Sequence, residues 1–200
     1  MKIKTSACAA FLCISLFAIF VADAATILPV NLEEMVAGSD VVFRGRCLGV
    51  APKRLPNGIF ATKYTFEISE VLKGDIREEL EFTQVGGSLS NSKKFNAPYI
   101  YGLPLYKVGS DYLVFLSEET SMGLRAPVGL EQGAFKVSIA ADGSVKVLNG
   151  RGNKNLLTGA VGTSLAKSIE FSGASAPTSG PIDYSLLFDL VRRIENGEGL

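Results

Sequence analysis

The sequence predicts a mainly β protein, a small closed or partly open antiparallel barrel of about six or seven strands with a short helix before it and another after it. Three observations carry that prediction. Short runs rich in β-branched and aromatic residues follow one another with glycine or proline between them. One of them, ATKYTFEISEVLKGD, sets Tyr64, Phe66 and Ile68 against Thr65, Glu67 and Ser69 with a period of two. No alternation of strands with long helical patterns, the mark of a parallel sheet, breaks the series.

The elements are read in chain order. Residues 1–24 form a signal peptide: Lys2 and Lys4 precede an apolar run over 7–21, and Ala22 and Ala24 put small residues where signal peptidase reads. The apolar run is shorter than the ~20 residues of a membrane-spanning helix. Phe11 and Leu12 before Cys13 are too large for a lipid-attachment site. A secreted or periplasmic protein is expected, starting near Ala25 and without a stable membrane anchor. The leading helix is NLEEMVAGSD: Asn31 caps it, Glu34 completes a capping box, and Leu32, Met35 and Val36 form its apolar stripe. Strand-like runs follow at residues 40–50, 61–75, 79–87, 111–117, 133–140 and 144–150, the last two joined by the hairpin signal Ala141-Asp142-Gly143. The barrel with its leading helix is assigned to residues 25–160 and a linker to 161–181, which contains GASAPTSGP. Residues 182–200 are an amphipathic helix, with Ile182, Leu186, Leu187, Leu190, Val191 and Ile194 spaced by three and four. Its apolar face docks on the barrel or, alternatively, on a partner or a membrane surface.

Composition narrows the chemistry. Without Lys2, Lys4 and Asp23, 18 of the 20 Lys and Arg and 19 of the 20 Asp and Glu remain. A chain so near neutrality offers no broad basic face to nucleic acid. With Cys8 and Cys13 in the signal segment, Cys47 is alone, at a parity that reads as a buried, inert thiol. The sequence contains no histidine, which removes the usual neutral-pH general base and the commonest zinc ligand. No catalytic residue, cofactor or metal site is expected.

Two stretches are candidate sites. Residues 88–109, SLSNSKKFNAPYIYGLPLYKVG, hold Phe95, Tyr99, Tyr101 and Tyr106 in an unusually long loop. These aromatics either close one end of the barrel or stand exposed as a binding surface. In VGLEQGAFKV, Gly129 and Gly133 bracket a bend or bulge, with Glu131 and Gln132 facing outward. VLKGD, residues 71–75, lacks the spacing of a phosphate loop and reads as a strand end with a turn. GRGNKNLLTG, residues 150–159, has no carboxylate for calcium and reads as a solvated turn.

The phrases NLEEMVAGSDVVFRGRCLGV, YTFEISEVLKGD, FTQVGG, GLPLYKVGSDYLVFL and VGLEQGAFKV, within residues 31–157, resemble a family of uncharacterised exported bacterial proteins. The layout is similar, more weakly, to the netrin-like, OB-type barrel of tissue inhibitors of metalloproteases. That resemblance implies protein binding. The disulfide-bonded N-terminal cysteine through which those inhibitors reach zinc is absent, because Ala25-Thr26 stands there. The expectation is an exported, non-enzymatic β-barrel module for a protein or envelope component. The alternatives are an inhibitor-like module working by another mechanism and a histidine-independent enzyme.

Overall fold

The computed structural model describes residues 27–87, 100–159, 164 and 177–197. The expected signal peptide, Phe95, Tyr99 and most of the expected linker lie outside them. The described residues form a seven-stranded antiparallel sheet and two helices. Helix α1 (Leu32–Ala37) leads into β1 (Val41–Arg54), β2 (Phe60–Lys73), β3 (Glu79–Val85) and β4 (Asp111–Leu116). After a 3-10 turn (Leu130–Gly133) come β5 (Ala134–Ile139), β6 (Val145–Asn149), β7 (Ile182–Asp183) and α2 (Tyr184–Glu195). The strand order is β3-β2-β1-β4-β5-β6-β7, so the sheet is open and β3 and β7 are its edges. Of the two forms expected from the sequence, the closed one is not what the strand pairing gives.

The sheet has two unlike halves. The register of β1 on β2 shifts at three places, between Val42 and Phe43, Arg44 and Gly45, and Cys47 and Gly49. Each irregularity adds local twist, which coils the two long strands. The coil wraps a core of Phe43, Tyr64, Phe66, Phe82, Tyr106 and Tyr112 with Cys47, Val114 and Leu116. Alternate residues take the other face: Val42, Leu113, Phe115, Phe135 and Val147 pack under the helices.

The helices form for the reasons the sequence shows. The capping box of α1 is present: the Glu34 amide donates to Asn31 Oδ1 at 2.9 Å and the Asn31 amide donates to Glu34 Oε2 at 3.0 Å. Six residues do not hold a helix alone. Leu32, Met35 and Val36 are buried with Leu187, Leu190 and Val191 of α2. The C-terminal helix therefore docks on its own sheet, and it starts at Tyr184 rather than 182. Ile182 and Asp183 are a strand instead, opposite Val147 and Lys146. Two residues carry no period from which a strand is read.

Residues 150–159 are not a merely solvated turn. Asn153 is buried, accepts from the Asn149 amide at 2.9 Å, and donates to the carbonyls of Val147 at 2.9 Å and Gly180 at 2.8 Å. The Asn149 side chain accepts in return from the amides of Arg151 at 3.0 Å and Asn153 at 2.8 Å. The two asparagines thereby supply partners to buried and half-buried backbone groups. They also tie the residues before β7 to the end of β6.

Candidate functional site: a groove on the outer face of β5 and β6

The site is organised by VGLEQG, residues 128–133. Pro127 bridges to Leu116 at the end of β4. Gly129, at φ 68°, then turns the chain into the 3-10 helix. At Gly133 a Cβ atom would stand 2.2 Å from the Val128 carbonyl oxygen, so the return into β5 has room only for glycine. Both glycines belong to a tight turn. Glu131 is partly exposed, with its carboxylate 3.7 Å from Arg151. Gln132, expected to face outward, is buried instead. Its amide nitrogen donates to the carbonyls of Leu28 at 2.9 Å and Gly129 at 3.1 Å, and its oxygen accepts from the Val30 amide at 3.0 Å. A side-chain amide so fully paired is stable inside, and the sequence alone does not show where its partners are.

The turn also fixes the wall of the groove. The Glu131 amide donates to the Gly102 carbonyl at 2.7 Å, and the Gln84 side chain, reaching from β3, donates to the Pro104 carbonyl at 2.9 Å. Two residues on, Tyr106 enters the aromatic core. Its ring lies edge-on to Tyr64 at 4.8 Å, Tyr112 at 5.0 Å, Phe66 at 5.2 Å and Phe82 at 5.9 Å. The Tyr112 hydroxyl accepts from the Lys107 amide at 3.0 Å. Leu103, Pro104 and Leu105 are thus held against the sheet from both ends.

Register builds the floor. Tyr112 of β4, Lys136 of β5 and Leu148 of β6 stand in one row across three strands, and Ser138 and Lys146 are opposite each other in β5 and β6. Ala134, Lys136 and Ser138 share the face turned away from the helices. With Leu103, Leu105 and Leu148 they line an open groove of about 610 Å³, within the range of ligand sites. Leu105 and Leu148 are 45% and 38% exposed. Lys146 is paired with Asp183 at 2.7 Å. The Lys136 side chain makes no ion pair or hydrogen bond among the described residues.

Of the aromatic residues singled out in the sequence, Tyr101 and Tyr106 are described, and they do not share one surface. Tyr101 is 64% exposed at the start of the wall. Tyr106 is 5% exposed, which removes its ring from any surface offered to a partner. The Tyr106 hydroxyl has no hydrogen-bond partner, and burial raises its pKa well above the ordinary tyrosine value. Burial, reinforced by nearby Cys47, pushes Tyr64 up to about 12. Cys47 is buried and free, and burial raises its thiol pKa. The groove residues Leu103, Leu105, Lys136 and Leu148 were not visible as a site. One signal was present: Leu148 breaks the alternation of SVKVLNG by standing at the parity of Lys146.

A second polar cluster lies where α2 begins. Arg46 and Asp111 form a two-bond pair at 2.8 and 3.0 Å, which holds the Asp111 carboxyl below its usual range. The Arg44 guanidinium lies 4.7 Å from the centre of the Tyr184 ring, whose hydroxyl donates to the Glu70 carboxylate. Burial first, and then the Glu70 bond, raise the Tyr184 pKa. Arg44 of β1 and Glu70 of β2 both meet Tyr184, so the cluster clamps the start of α2 to β1 and β2. Among the described residues no three His, Cys, Asp or Glu side chains gather as metal ligands. No helix among them is long and apolar enough to cross a membrane.

In comparisons with known proteins, the chain matches no protein-family model and no curated protein.

Proposed function

We propose that the chain is an exported, non-enzymatic β module of OB-like type that binds a protein or envelope component in the groove on β5 and β6. The observation that carries this reading is a preorganised apolar groove with an unpartnered cation, Lys136, in its floor. Preorganisation lowers the entropy lost on binding. The wall is tied by two hydrogen bonds and by Tyr106, so little is left to order. The OB-like reading is supported by one bond across the opening of the coil: the Arg125 amide donates to the Thr83 carbonyl of β3 at 2.8 Å. The non-enzymatic reading is supported by the absence of histidine and by the pairing of Glu131 with Arg151.

The test is a photo-crosslinking amino acid at Leu148, with one at exposed Glu81 on β3 as control, in cells that export the protein. A protein adduct is expected from position 148, lost when Leu105→Glu is added, and absent from position 81. Equal adducts at both positions, or none at 148, would refute the groove as the binding site.

A further inference from the structure

We infer that the occupant of the groove is an extended peptide segment of a partner, carrying an acidic side chain two positions from an aliphatic one. The inference rests on the binding reading above and adds the chemistry of the ligand. Its first ground is spacing. Ala134, Lys136 and Ser138 repeat along β5 every second residue, about 7 Å apart. An extended peptide lying over β5 repeats its own side chains at the same interval, which places one over Lys136 and the next over a neighbouring position in the floor.

The second ground is charge. Lys136 stands in the middle of the floor without a counter-ion among the described residues, whereas the acid at the rim, Glu131, faces Arg151 at 3.7 Å. Lys146, the other cation on this face, is already paired with Asp183. One positive charge is therefore left over, between the Tyr112 ring on one strand and Leu148 on the other. A carboxylate reaching the ammonium is held over apolar surface, where its attraction is screened less than in open water.

The third ground is the apolar surface of wall and floor. Leu105 of the wall and Leu148 of the floor are both partly exposed and both line the groove, so an aliphatic side chain lying beside Lys136 covers apolar surface there. Along β5 the floor supplies only Ala134 and Ser138 on either side of Lys136. Large aromatic anchors therefore gain little there, and a Leu- or Val-sized group is favoured.

The experiment is an NMR titration of the purified, isotope-labelled protein with acetylated eight-residue peptides of alternating threonine. One contains leucine with glutamate two positions on; matched peptides carry glutamine or lysine in place of glutamate. The glutamate peptide is expected to bind about threefold tighter than the glutamine peptide and about tenfold tighter than the lysine peptide, as a partly exposed ion pair allows. Shifts should centre on the amides of Lys136, Leu148 and Leu103. Lys136→Glu should reverse the order of glutamate and lysine peptides while leaving the rest of the spectrum in place. Equal binding of all three peptides would overturn the inference and leave the binding reading standing. Uptake of laurate with no peptide binding would overturn it in favour of an anionic amphiphile. Failure of every peptide while position 148 still crosslinks a protein would overturn it alone.

Discussion

The two cores of this protein obey different rules. Under the helices, Leu32, Met35, Val36, Leu113, Val147, Leu187, Leu190 and Val191 form a mainly aliphatic core whose polar border is the Asn149–Asn153 pair. Inside the coiled half, four aromatic rings, Tyr64, Phe66, Phe82 and Tyr112, meet Tyr106 edge to face, and its hydroxyl has no partner. An aliphatic core fills space by volume, and its members exchange at modest cost. An aromatic core depends on ring orientation, and each ring serves several neighbours. The coiled half should therefore be the more sensitive to truncation and the less sensitive to loss of a polar group.

The largest expected effect tests the first part. Phe66 meets Phe43, Phe82, Tyr106 and Tyr112 at centroid distances of 5.4, 5.9, 5.2 and 6.2 Å. Phe66→Ala should lower stability in urea unfolding by about 4 to 5 kcal/mol, and Leu187→Ala, under the helices, by about 3 kcal/mol. Equal losses, or a larger loss at Leu187, would break the distinction. Next comes Asn153→Ala, which removes three hydrogen bonds and leaves buried carbonyls unpaired; about 3 kcal/mol should be lost in the same assay. A loss below about 1 kcal/mol would show that the aliphatic half does not rely on its polar border.

Alkaline pH probes the aromatic half. Tyr64 is raised to about 12 and Tyr106 is raised well above the ordinary value, whereas an unfolded tyrosine ionises near 10. Protons are held more tightly in the folded state. The stability this represents is present in full below pH 10 and falls as pH rises toward the folded values. The loss should be about 1.4 kcal/mol per pH unit for each of the two tyrosines above pH 10, read by urea unfolding at stepped pH. A flat profile to pH 11.5 would contradict their burial. The smallest effect has the opposite sign. Tyr106→Phe removes the unpartnered hydroxyl and keeps the ring, so stability should rise by about 0.5 to 1 kcal/mol. A loss would mean that the hydroxyl is paired in solution.

What the sequence made legible follows the same division between local and distant contacts. The period of two in β2, the Asn31–Glu34 capping box and the turn at Asp142, whose carboxylate accepts from the Ser144 amide at 2.9 Å, are written in neighbouring residues. The spacing of Leu187, Leu190 and Val191 likewise showed a face that needed cover, and the structure shows the sheet and α1 as that cover. Gln132 was misplaced, and Tyr106 was left open between packing and surface, because their surroundings come from far along the chain: Leu28 and Val30 for the one, Tyr64 and Phe82 for the other. The groove was illegible for the same reason. Its wall, its floor and Glu131 at its rim come from separate segments that share no pattern in sequence.

The pairing of Gln132 also bears on the order of folding. β1 and β2 are joined by the short turn 55–59, so their hairpin forms at little loop entropy. The bond from the Val30 amide to Gln132 joins residues 102 apart, and the clamp between Tyr184 and Glu70 joins residues 114 apart. Such contacts close only after the intervening chain has been ordered. We expect pulse-labelled amide exchange during refolding to protect β1 and β2 before Val30; simultaneous protection would show a single concerted step. On this order the groove, whose turn hangs on Gln132, takes shape only after the hairpin of β1 and β2 has formed.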